Sequence, residues 1–390
     1  MSRAFSRPGV LTLATARMAV DALPGRRRCP PENPRRILIA HHLLLGDTIM
    51  LTPLIAKCRA RWPDADIAMT CPVAFTGLYA GRPYGVRALP YDPADIRTLA
   101  PLVGESGFDL ALLPADNRVS WLARALDSRW IVAFAGDSPR YNDWPVDELR
   151  RYPDTPMAWG DIVAGLIDGP LPPPYHERHW PAPLRGDFEP PKARYCVLHV
   201  GASTVLKQWP ADRWHEIGER LAASDLTIVL SAGPGEARLV DEVDPARRWL
   251  RYPGTLTLPA LWHLLADAAL LVCPDTGIAH LARLTGTPTV ALFGPGSALL
   301  SGAGEFWQNA PFTPLTIPDF PCRDQRVTMK REVGWIRRCE RFPGDAPGQC
   351  GQARCMLALS SEQVLAAATE ELRRGSVAGS SSPRQSLVRH

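Results

Sequence analysis

Two charged residues in separate parts of the chain have the sequence surroundings of reactive groups. Asp47 follows a glycine shortly after an apolar stretch, and Lys207 follows the turn sequence Gly201-Ala202-Ser203. A carboxylate after a strand can act as a general base, although an aspartate there is also a common helix N-cap. A lysine ammonium can neutralise a phosphate as a point charge; the alternative is an exposed lysine beside a turn.

A third stretch has the pattern of a diphosphate-binding turn. The apolar run 268–273 is followed by the turn Pro-Asp-Thr-Gly and then by a helical pattern that contains His280. Backbone N–H groups at the start of such a helix favour anions, while Thr276 adds a hydroxyl and Gly277 permits close approach. A well-capped turn with a core histidine explains these residues equally well. Together with the turns after the neighbouring strands, this stretch gives a set of candidate residues for binding a nucleotide diphosphate. They are Ser203, Thr204, Lys207, Glu236, Asp275, Thr276, Gly277 and His280.

The composition excludes several classes of protein. A length of 390 residues is enough for two domains with full cores, and a net charge of +4 gives no indication of a nucleic-acid partner. No apolar run approaches the roughly 20 residues that a membrane span needs. The chain has no G-x-G-x-x-G after its first strand, no Walker A motif and no H-E-x-x-H, so we expect no nicotinamide, flavin or metal cofactor.

Apolar strands alternate with helical patterns twice along the chain. This alternation predicts an α/β protein with two parallel sheets covered by helices, and a ligand cleft at the carboxyl ends of the strands. Eight prolines between Pro170 and Pro191 predict a linker. The predicted segments are a basic N-terminal extension (1–34), an N-terminal Rossmann-like domain (35–169), the linker (170–191), a C-terminal Rossmann-like domain (192–359), a final helix (360–374) and a disordered tail (375–390).

The first 28 residues are basic and mildly amphipathic. Arg17 and Asp21 interrupt any signal-peptide core, which predicts a cytoplasmic protein. The arginines at 26–28 and 35–36 could touch an anionic membrane surface, but we favour a solvated leader.

The C-terminal part holds a cluster of cysteines and basic residues. Cys322, Cys339, Cys350 and Cys355 could bind zinc, but no close C-x-x-C pair occurs, so free thiols or one reversible disulfide are favoured. Arginines and lysines outnumber acids over 323–341. This excess suits a phosphorylated ligand, and a solvated basic loop is the alternative.

Three motifs in this order resemble one known family. They are G-D-x-x-x-x-T-P from Gly46, G-A-S-x-x-x-K-x-W-P from Gly201, and D-T-G-x-x-H-L-A from Asp275 with P-x-x-x-L-F-G-P from Pro288. Over roughly 35–374 the chain resembles the ADP-heptose:lipopolysaccharide heptosyltransferases, glycosyltransferase family 9. The resemblance implies the GT-B fold, with the acceptor in the N-terminal Rossmann-like domain and the nucleotide sugar in the C-terminal one.

The resemblance also implies roles for the candidate residues. Asp47 would deprotonate the acceptor hydroxyl, and Lys207 would hold the donor phosphates. The remaining implied roles are binding of the diphosphate by Thr276 and Gly277, of the donor sugar by Asp275 and of the ribose by Glu236, with His280 supporting the phosphates. The implied reaction is an inverting, metal-independent transfer of heptose from ADP-heptose to a lipopolysaccharide core-type acceptor.

One departure from the family pattern leaves the substrates open. The sequence His41-His42-Leu43-Leu44 stands where members usually have a basic residue and small hydroxyl residues. The alternatives are a GT-B glycosyltransferase with another nucleotide-sugar donor, a non-catalytic nucleotide-sugar-binding protein and a GT-B-like epimerase. The expected partners are the donor, a glycolipid acceptor and, by peripheral contact, the cytoplasmic face of the inner membrane, with no nucleic acid.

Overall fold

The structure is a computed structural model that describes residues 6–21 and 28–380. The chain divides into two compact units, each with its own six-stranded sheet. The first unit contains the described residues up to Leu184 with Leu299–Gln308 and Gln325–Arg337; the second contains Arg185–Ala298, Asn309–Asp324 and the residues from Arg338 onward. The border at Leu184 falls inside the proline-rich stretch. The two short segments that return to the first unit were assigned from sequence to the C-terminal domain.

The first unit is built on six parallel strands whose residues are mostly buried. They are β1 (Arg36–Ile39), β2 (Asp66–Cys71), β3 (Arg87–Pro90), β4 (Leu110–Leu113), β5 (Trp130–Phe134) and β6 (Glu148–Arg150). Their order across the sheet is β3-β2-β1-β4-β5-β6. In the register, Ile37 of β1 lies opposite Ile67 on one side and Leu110 on the other. The strand order reverses between β1 and β4, and the crevice at such a switch point is where sheets of this type bind ligands.

The second unit repeats this topology. Its strands are β7 (Tyr195–His199), β8 (Thr227–Ala232), β9 (Leu250–Pro253), β10 (Leu270–Pro274), β11 (Thr289–Phe293) and β12 (Phe312–Thr316). They are parallel in the order β12-β11-β10-β7-β8-β9, so the switch point lies between β7 and β10. Two such sheets confirm the predicted α/β class. A further two-stranded ribbon pairs β13 (Val327–Thr328) with β14 (Arg331–Glu332).

The helices of the first unit include one that the sequence did not predict. They are α1 (Arg7–Asp21), α2 (Leu45–Ile49), α3 (Thr52–Arg61), α4 (Leu99–Gly104), α5 (Ser120–Ala125) and α6 (Trp159–Ala164). Helix α1 packs on α5, and its Val10 and Ala14 are buried in the same core cluster as Leu122. The prediction that the N-terminal residues form a solvated leader is therefore wrong for 7–21. In the basic flank, Arg28 forms an ion pair with Asp147. Arg26 and Arg27 lie outside the described residues.

The second unit carries the remaining helices. They are α7 (Ala211–Ala222), α8 (Ala237–Val243), α9 (Leu258–Ala266), α10 (Gly277–Thr285), α11 (Arg354–Leu357) and α12 (Ser361–Ser380). Helix α12 continues beyond the predicted end at 374, so 375–380 are helical where a disordered tail was expected. The rest of that tail, 381–390, lies outside the described residues. None of the helices in the described part of the chain is long and apolar enough to cross a bilayer.

Candidate active site

An ion pair marks the switch point of the second sheet. Lys207 ends a 3₁₀ turn after β7, and Asp275 directly follows β10. Lys207 Nζ donates to the backbone oxygen and to Oδ2 of Asp275, both at 2.8 Å. The two side chains are 24% and 10% exposed, so the cation lies at the crevice without being fully buried. The structure therefore brings together two candidates that are 68 positions apart in the sequence.

The start of helix α10 offers unused hydrogen-bonding groups beside this pair. Thr276 occupies the N-cap position with extended backbone angles, but its side chain makes no cap hydrogen bond. Among the described residues its buried Oγ1 has no partner, although an N-cap threonine usually accepts from the first turn. This hydroxyl and the first N–H groups of α10 suit an anionic ligand, as the diphosphate-binding interpretation predicts.

The turn after β11 packs closely against Asp275. A Cβ atom on Gly296 would overlap Oδ2 of Asp275. Asp275 is 7% exposed, so its carboxylate has little room to move away. The absence of a side chain at Gly296 therefore leaves the space that the carboxylate paired with Lys207 occupies.

Glu236 joins two loops at the ends of neighbouring strands. Its Oε1 accepts from the backbone N–H of Ala202 at 3.0 Å, and its Oε2 accepts from the backbone N–H of Gly233 at 2.7 Å. These loops follow β7 and β8, so the carboxylate ties them together. Carboxylate oxygens can each accept a second hydrogen bond, and the predicted contact with ribose stays a prediction.

The two hydroxyl residues before Lys207 differ in their surroundings. Thr204 Oγ1 accepts from the backbone N–H of Leu206 at 3.4 Å, at the start of the turn that carries Lys207. Ser203 is exposed. Thr204 therefore positions the turn, while the predicted phosphate contacts of both hydroxyls stay predictions.

A buried arginine that the sequence motifs do not include contacts His280. Arg283 is 2% exposed, and its Nη1 donates to His280 Nδ1 at 3.3 Å. Burial lowers the pKa of Arg283 to about 9, and burial also holds the pKa of His280 well below its usual range. Because a guanidinium only donates hydrogen bonds, Nδ1 must accept and the neutral imidazole carries its proton on Nε2. His280 and Arg283 are three positions apart on one helix, and this spacing alone indicates that their side chains can meet.

Asp47 lies at the corresponding strand end of the first unit. It is the third residue of α2, it is half-buried, and the N-cap position belongs to Leu44. The N-cap alternative for Asp47 is therefore wrong. A carboxylate in the first turn of a helix is favoured electrostatically by the helix dipole.

Comparison with known proteins identifies the family. The family model "Glycosyltransferase family 9 (heptosyltransferase)" matches residues 97–310, more than half of the chain. The chain belongs to glycosyltransferase family 9. The resemblance drawn from the motifs is confirmed, and the chain is a glycosyltransferase. The matched range includes Lys207 and the stretch from Asp275 to His280, and it begins after Asp47.

Individual relatives agree with this assignment. Lipopolysaccharide heptosyltransferase 1 of Pseudomonas aeruginosa is 25% identical over 323 residues, which cover 76% of this chain and 88% of the relative. Escherichia coli ADP-heptose lps heptosyltransferase II has a TM-score of 0.64 at 16% identity, covering 87% of this chain and 99% of the other. E. coli heptosyltransferase WaaC with ADP-2-deoxy-2-fluoro heptose has a TM-score of 0.58 at 16% identity, covering 73% and 93%. The fold similarity confirms the predicted GT-B class.

The four C-terminal cysteines of this family 9 enzyme are candidate metal ligands from the sequence. Among the described residues, no group of three or more His, Cys, Asp or Glu side chains is placed to hold a metal ion, and the zinc alternative for Cys322, Cys339, Cys350 and Cys355 stays a prediction. All four are free thiols. Burial raises the pKa of the Cys322 and Cys355 thiols, so they favour the protonated form.

Two arginines of the basic C-terminal segment are structural. In the second unit Arg323 donates to the carbonyl oxygens of Phe293 and Gly294 at 3.0 and 2.8 Å, where β11 ends. In the first unit Arg331 is 2% exposed and donates to Asn117 Oδ1 at 2.7 Å and to the carbonyl oxygen of Phe134 at 2.9 Å. These two cations bind carbonyl oxygens at strand ends within their own units. Fewer positive charges are therefore available to an anionic ligand than the net charge of the segment indicates.

Proposed function

We propose that this enzyme transfers heptose from ADP-heptose to a lipopolysaccharide core-type glycolipid with inversion at the anomeric carbon. The observation that carries the proposal is the Lys207–Asp275 pair beside the unused hydroxyl of Thr276 at the start of α10. The names of the relatives support the sugar and the acceptor, since the P. aeruginosa protein is a lipopolysaccharide heptosyltransferase. The E. coli chain described with an ADP-heptose analogue supports the nucleotide.

The donor-side groups would stabilise the leaving ADP. Lys207 has three N–H donors, two of which Asp275 receives. The third N–H, the first backbone N–H groups of α10 and the Thr276 hydroxyl are suited to diphosphate oxygens. Negative charge grows on these oxygens as the anomeric C–O bond breaks, and fixed donors that face this charge lower the barrier.

His280 would act as a neutral donor in the same region. Its Nδ1 accepts from Arg283, so the N–H of the ring is on Nε2. A neutral imidazole can donate to a phosphate oxygen or a sugar hydroxyl without bringing a titrating charge. Its role as a supporting residue near the phosphates is consistent with this tautomer.

Asp47 would act as the base for the acceptor. Its carboxylate takes the proton of the acceptor hydroxyl while the oxygen forms a bond to the anomeric carbon from the face opposite the phosphate. The bonding electrons of the broken C–O bond leave with ADP. Attack from the opposite face inverts the configuration, and general base catalysis of this kind contributes roughly 10²- to 10⁴-fold.

The site of action follows from the proposed acceptor. A glycolipid acceptor is held in a membrane, and an ADP-sugar donor belongs to the cytoplasm. We therefore place the enzyme in the cytoplasm with peripheral contact at the inner membrane. Sedimentation with anionic vesicles, with and without acceptor lipid, tests this contact; equal pelleting with neutral vesicles would count against an electrostatic contribution.

Nucleotide titration tests the donor assignment. Purified protein is titrated calorimetrically with ADP, UDP, GDP and dTDP in EDTA. The proposal expects ADP to bind most tightly, and preference for another nucleotide would keep the family but replace the donor. Preference for UDP with turnover that needs no acceptor would favour an epimerase, and ADP binding without transfer to any acceptor would favour a binding protein. NMR of the product anomer tests inversion.

A further inference from the structure

A loop of the first unit exposes two aromatic side chains just after β5. Tyr141 lies in the 3₁₀ turn Arg140–Asp143, and Trp144 follows that turn directly. Their exposed fractions are 41% and 70%. The structure describes all twelve tryptophans of the chain, and Trp144 is the only one of them that is exposed. Large aromatic side chains are costly to leave in water, so two of them on one turn indicate a binding surface.

Buried polar contacts hold this loop in place. The carboxylate of Asp137, which is 4% exposed, accepts from the backbone N–H of Asn117 at 2.8 Å and from the side chain of Asn142 at 3.2 Å. Ser120 Oγ donates to the backbone oxygen of Asn142 at 2.6 Å. Because these contacts fix the base of the loop, little conformational entropy is lost when the exposed aromatic side chains bind a partner.

Two exposed cations accompany the aromatic side chains. Arg140 lies on the same turn. Lys330 lies at the tip of the β13–β14 ribbon, near enough to Asp116 to interact electrostatically. Arg118, two positions from Asp116, interacts in the same way with the side chain of Tyr141. The tip of the ribbon and the aromatic turn therefore border the same part of the first unit.

The acidic side chains in this part of the unit are already engaged. Asp116 pairs with Arg118 at 2.7 Å. Oδ1 of Asp143 accepts from a buried asparagine side chain at 2.6 Å. Next to the ribbon tip, the exposed charges of Arg326 and Glu332 are opposite in sign and offset one another. The two cations on the turn and at the ribbon tip are therefore left to attract a partner with negative charge.

The same part of the unit borders the expected acceptor site. Tyr141 and Arg118 line the cavity at the strand ends, together with residues that follow β1 and β4, such as His42 and Ala115. The switch point between these two strands is where a sheet of this type binds ligands. Under the proposed function the acceptor is a glycolipid, so a surface beside its binding site lies close to the membrane.

We propose that one surface of the first unit, here called the docking surface, binds to an anionic phospholipid membrane. It consists of Arg140, Tyr141, Trp144 and Lys330. Tryptophan and tyrosine side chains prefer the membrane–water interface, and nearby cations attract anionic lipid headgroups. Four exposed residues are far fewer than the roughly 20–30 residues a side of a stable protein interface, which favours a membrane over a protein partner. The orientation towards the acceptor rests on the proposed function.

Vesicle sedimentation tests the docking surface without nucleotide or acceptor. Full-length protein is mixed with vesicles of phosphatidylcholine alone, or of phosphatidylcholine with phosphatidylglycerol. Two cations predict roughly 10- to 30-fold tighter binding to the anionic vesicles. Trp144→Ala should weaken this binding about tenfold, because the most exposed aromatic side chain is lost. Arg140→Gln and Lys330→Asn should each weaken it about fivefold at low salt and less at high salt. Asparagine suits the left-handed backbone of residue 330, where φ is 62°.

Two matched variants control for the loss of any exposed aromatic side chain or cation. Phe342→Ala removes an aromatic side chain of the second unit that is 77% exposed. Arg129→Gln removes a cation that is 81% exposed and lies just before β5, at the other end of the strand that leads to the docking surface. Both variants should bind anionic vesicles within about twofold of wild type.

Transfer assays separate membrane docking from a direct contact with the acceptor. Trp144→Ala should lower transfer to an acceptor lipid in anionic vesicles and leave transfer to a soluble core fragment unchanged. If transfer to the soluble fragment falls equally, the tryptophan contacts the acceptor sugar and the membrane assignment is wrong.

Three other results would overturn the proposal. They are equal binding to neutral and anionic vesicles, losses in the docking-surface variants no larger than in the two controls, and a dimer in sedimentation velocity that Trp144→Ala dissociates, which would assign the surface to a second copy of the chain. Vesicle binding as expected without any heptose transfer would contradict the proposed function and leave the docking surface supported. Transfer to the soluble fragment without vesicle binding would support the function and refute the docking surface.

Discussion

Replacing Lys207 by methionine removes the ammonium but keeps an unbranched side chain of similar length. In the structure, two of its N–H groups donate to Asp275 at 2.8 Å, and a third is left for a phosphate oxygen. A hydrogen bond to a charged group contributes about 1.5–3 kcal/mol. About 1.4 kcal/mol corresponds to tenfold in Kd, so we expect Lys207→Met to weaken ADP binding about 10- to 100-fold.

Isothermal titration with ADP at low and at high salt measures this effect. Lys207 is 24% exposed, so part of its contribution is screened and the difference between variant and wild type should shrink as salt rises. Arg238→Met is the matched control, because it removes a cation of the same unit that is 86% exposed and pairs with Glu242. Its ADP affinity should stay within about twofold of wild type, as expected for an exposed ion pair.

Asp275→Asn provides the second half of the test. This change weakens the ion pair with Lys207 while keeping a side chain of similar shape. The double variant measures the coupling free energy between the two residues. If both single variants bind ADP as tightly as wild type and only their melting temperatures fall, the ion pair is structural. That result would refute its assignment to the donor phosphates.

Three further changes test other parts of the site. Asp47→Asn should lower turnover by roughly 10²- to 10⁴-fold and leave the Kd for ADP unchanged; equal turnover contradicts its role as base. Gly296→Ala should displace the Asp275 carboxylate, because the new Cβ overlaps Oδ2, and weaken ADP binding in calorimetry; unchanged affinity would show that the carboxylate can yield. Burial lowers the pKa of His199 to about 4. The unfolded chain therefore takes up the proton first as pH falls below 6.5, and stability is lost towards pH 4, by about 2 kcal/mol at pH 5. His199→Gln should flatten the fall in urea stability between pH 7 and 5, and a pH dependence identical to wild type would contradict this account.

Most of the sheet could be predicted because parallel strands are buried apolar runs. The residue pattern alone predicts a helix over 258–266 and a strand over 289–293, and the structure has α9 (Leu258–Ala266) and β11 (Thr289–Phe293) at these bounds. Within the two six-stranded sheets, the missed strands are β6, with three residues and charged ends, and β12, which contains Pro314. Both lie at sheet edges, where charge and proline are tolerated and the apolar signal is weak.

Long-range backbone contacts could not be predicted in this way. The segment 299–308 packs in the first unit, where the carboxylate of Asp161 accepts from the backbone N–H groups of Glu305 and Phe306. These contacts join residues about 144 positions apart, and no local pattern of apolar residues encodes them. The pattern after the first strand also predicts a single helix from Asp47 to Arg61, but the structure has two helices there, α2 and α3, with the division just before Pro53.

For the candidate site, the sequence predicts which strand end each residue follows but not which contacts its side chain makes. The rule that ligands bind at the carboxyl ends of strands placed Lys207 and Asp275 at the same edge, and the structure joins them. It gave no indication that Glu236 would tie two loops or that Arg283 would fix the tautomer of His280. Those details depend on which rotamers the packed core allows, and a sequence pattern does not contain them.

Acceptor-dependent release of ADP decides whether the enzyme transfers heptose with Asp47 as the base. Purified wild type and Asp47→Asn are incubated with ADP-heptose, with and without a lipopolysaccharide core fragment that has a free acceptor hydroxyl, and free ADP is measured. We expect ADP release by wild type only when the acceptor is present, and almost none by the variant although it binds ADP normally. Release without acceptor, equal release by the variant, or no release from ADP-heptose while another nucleotide sugar is consumed would contradict it.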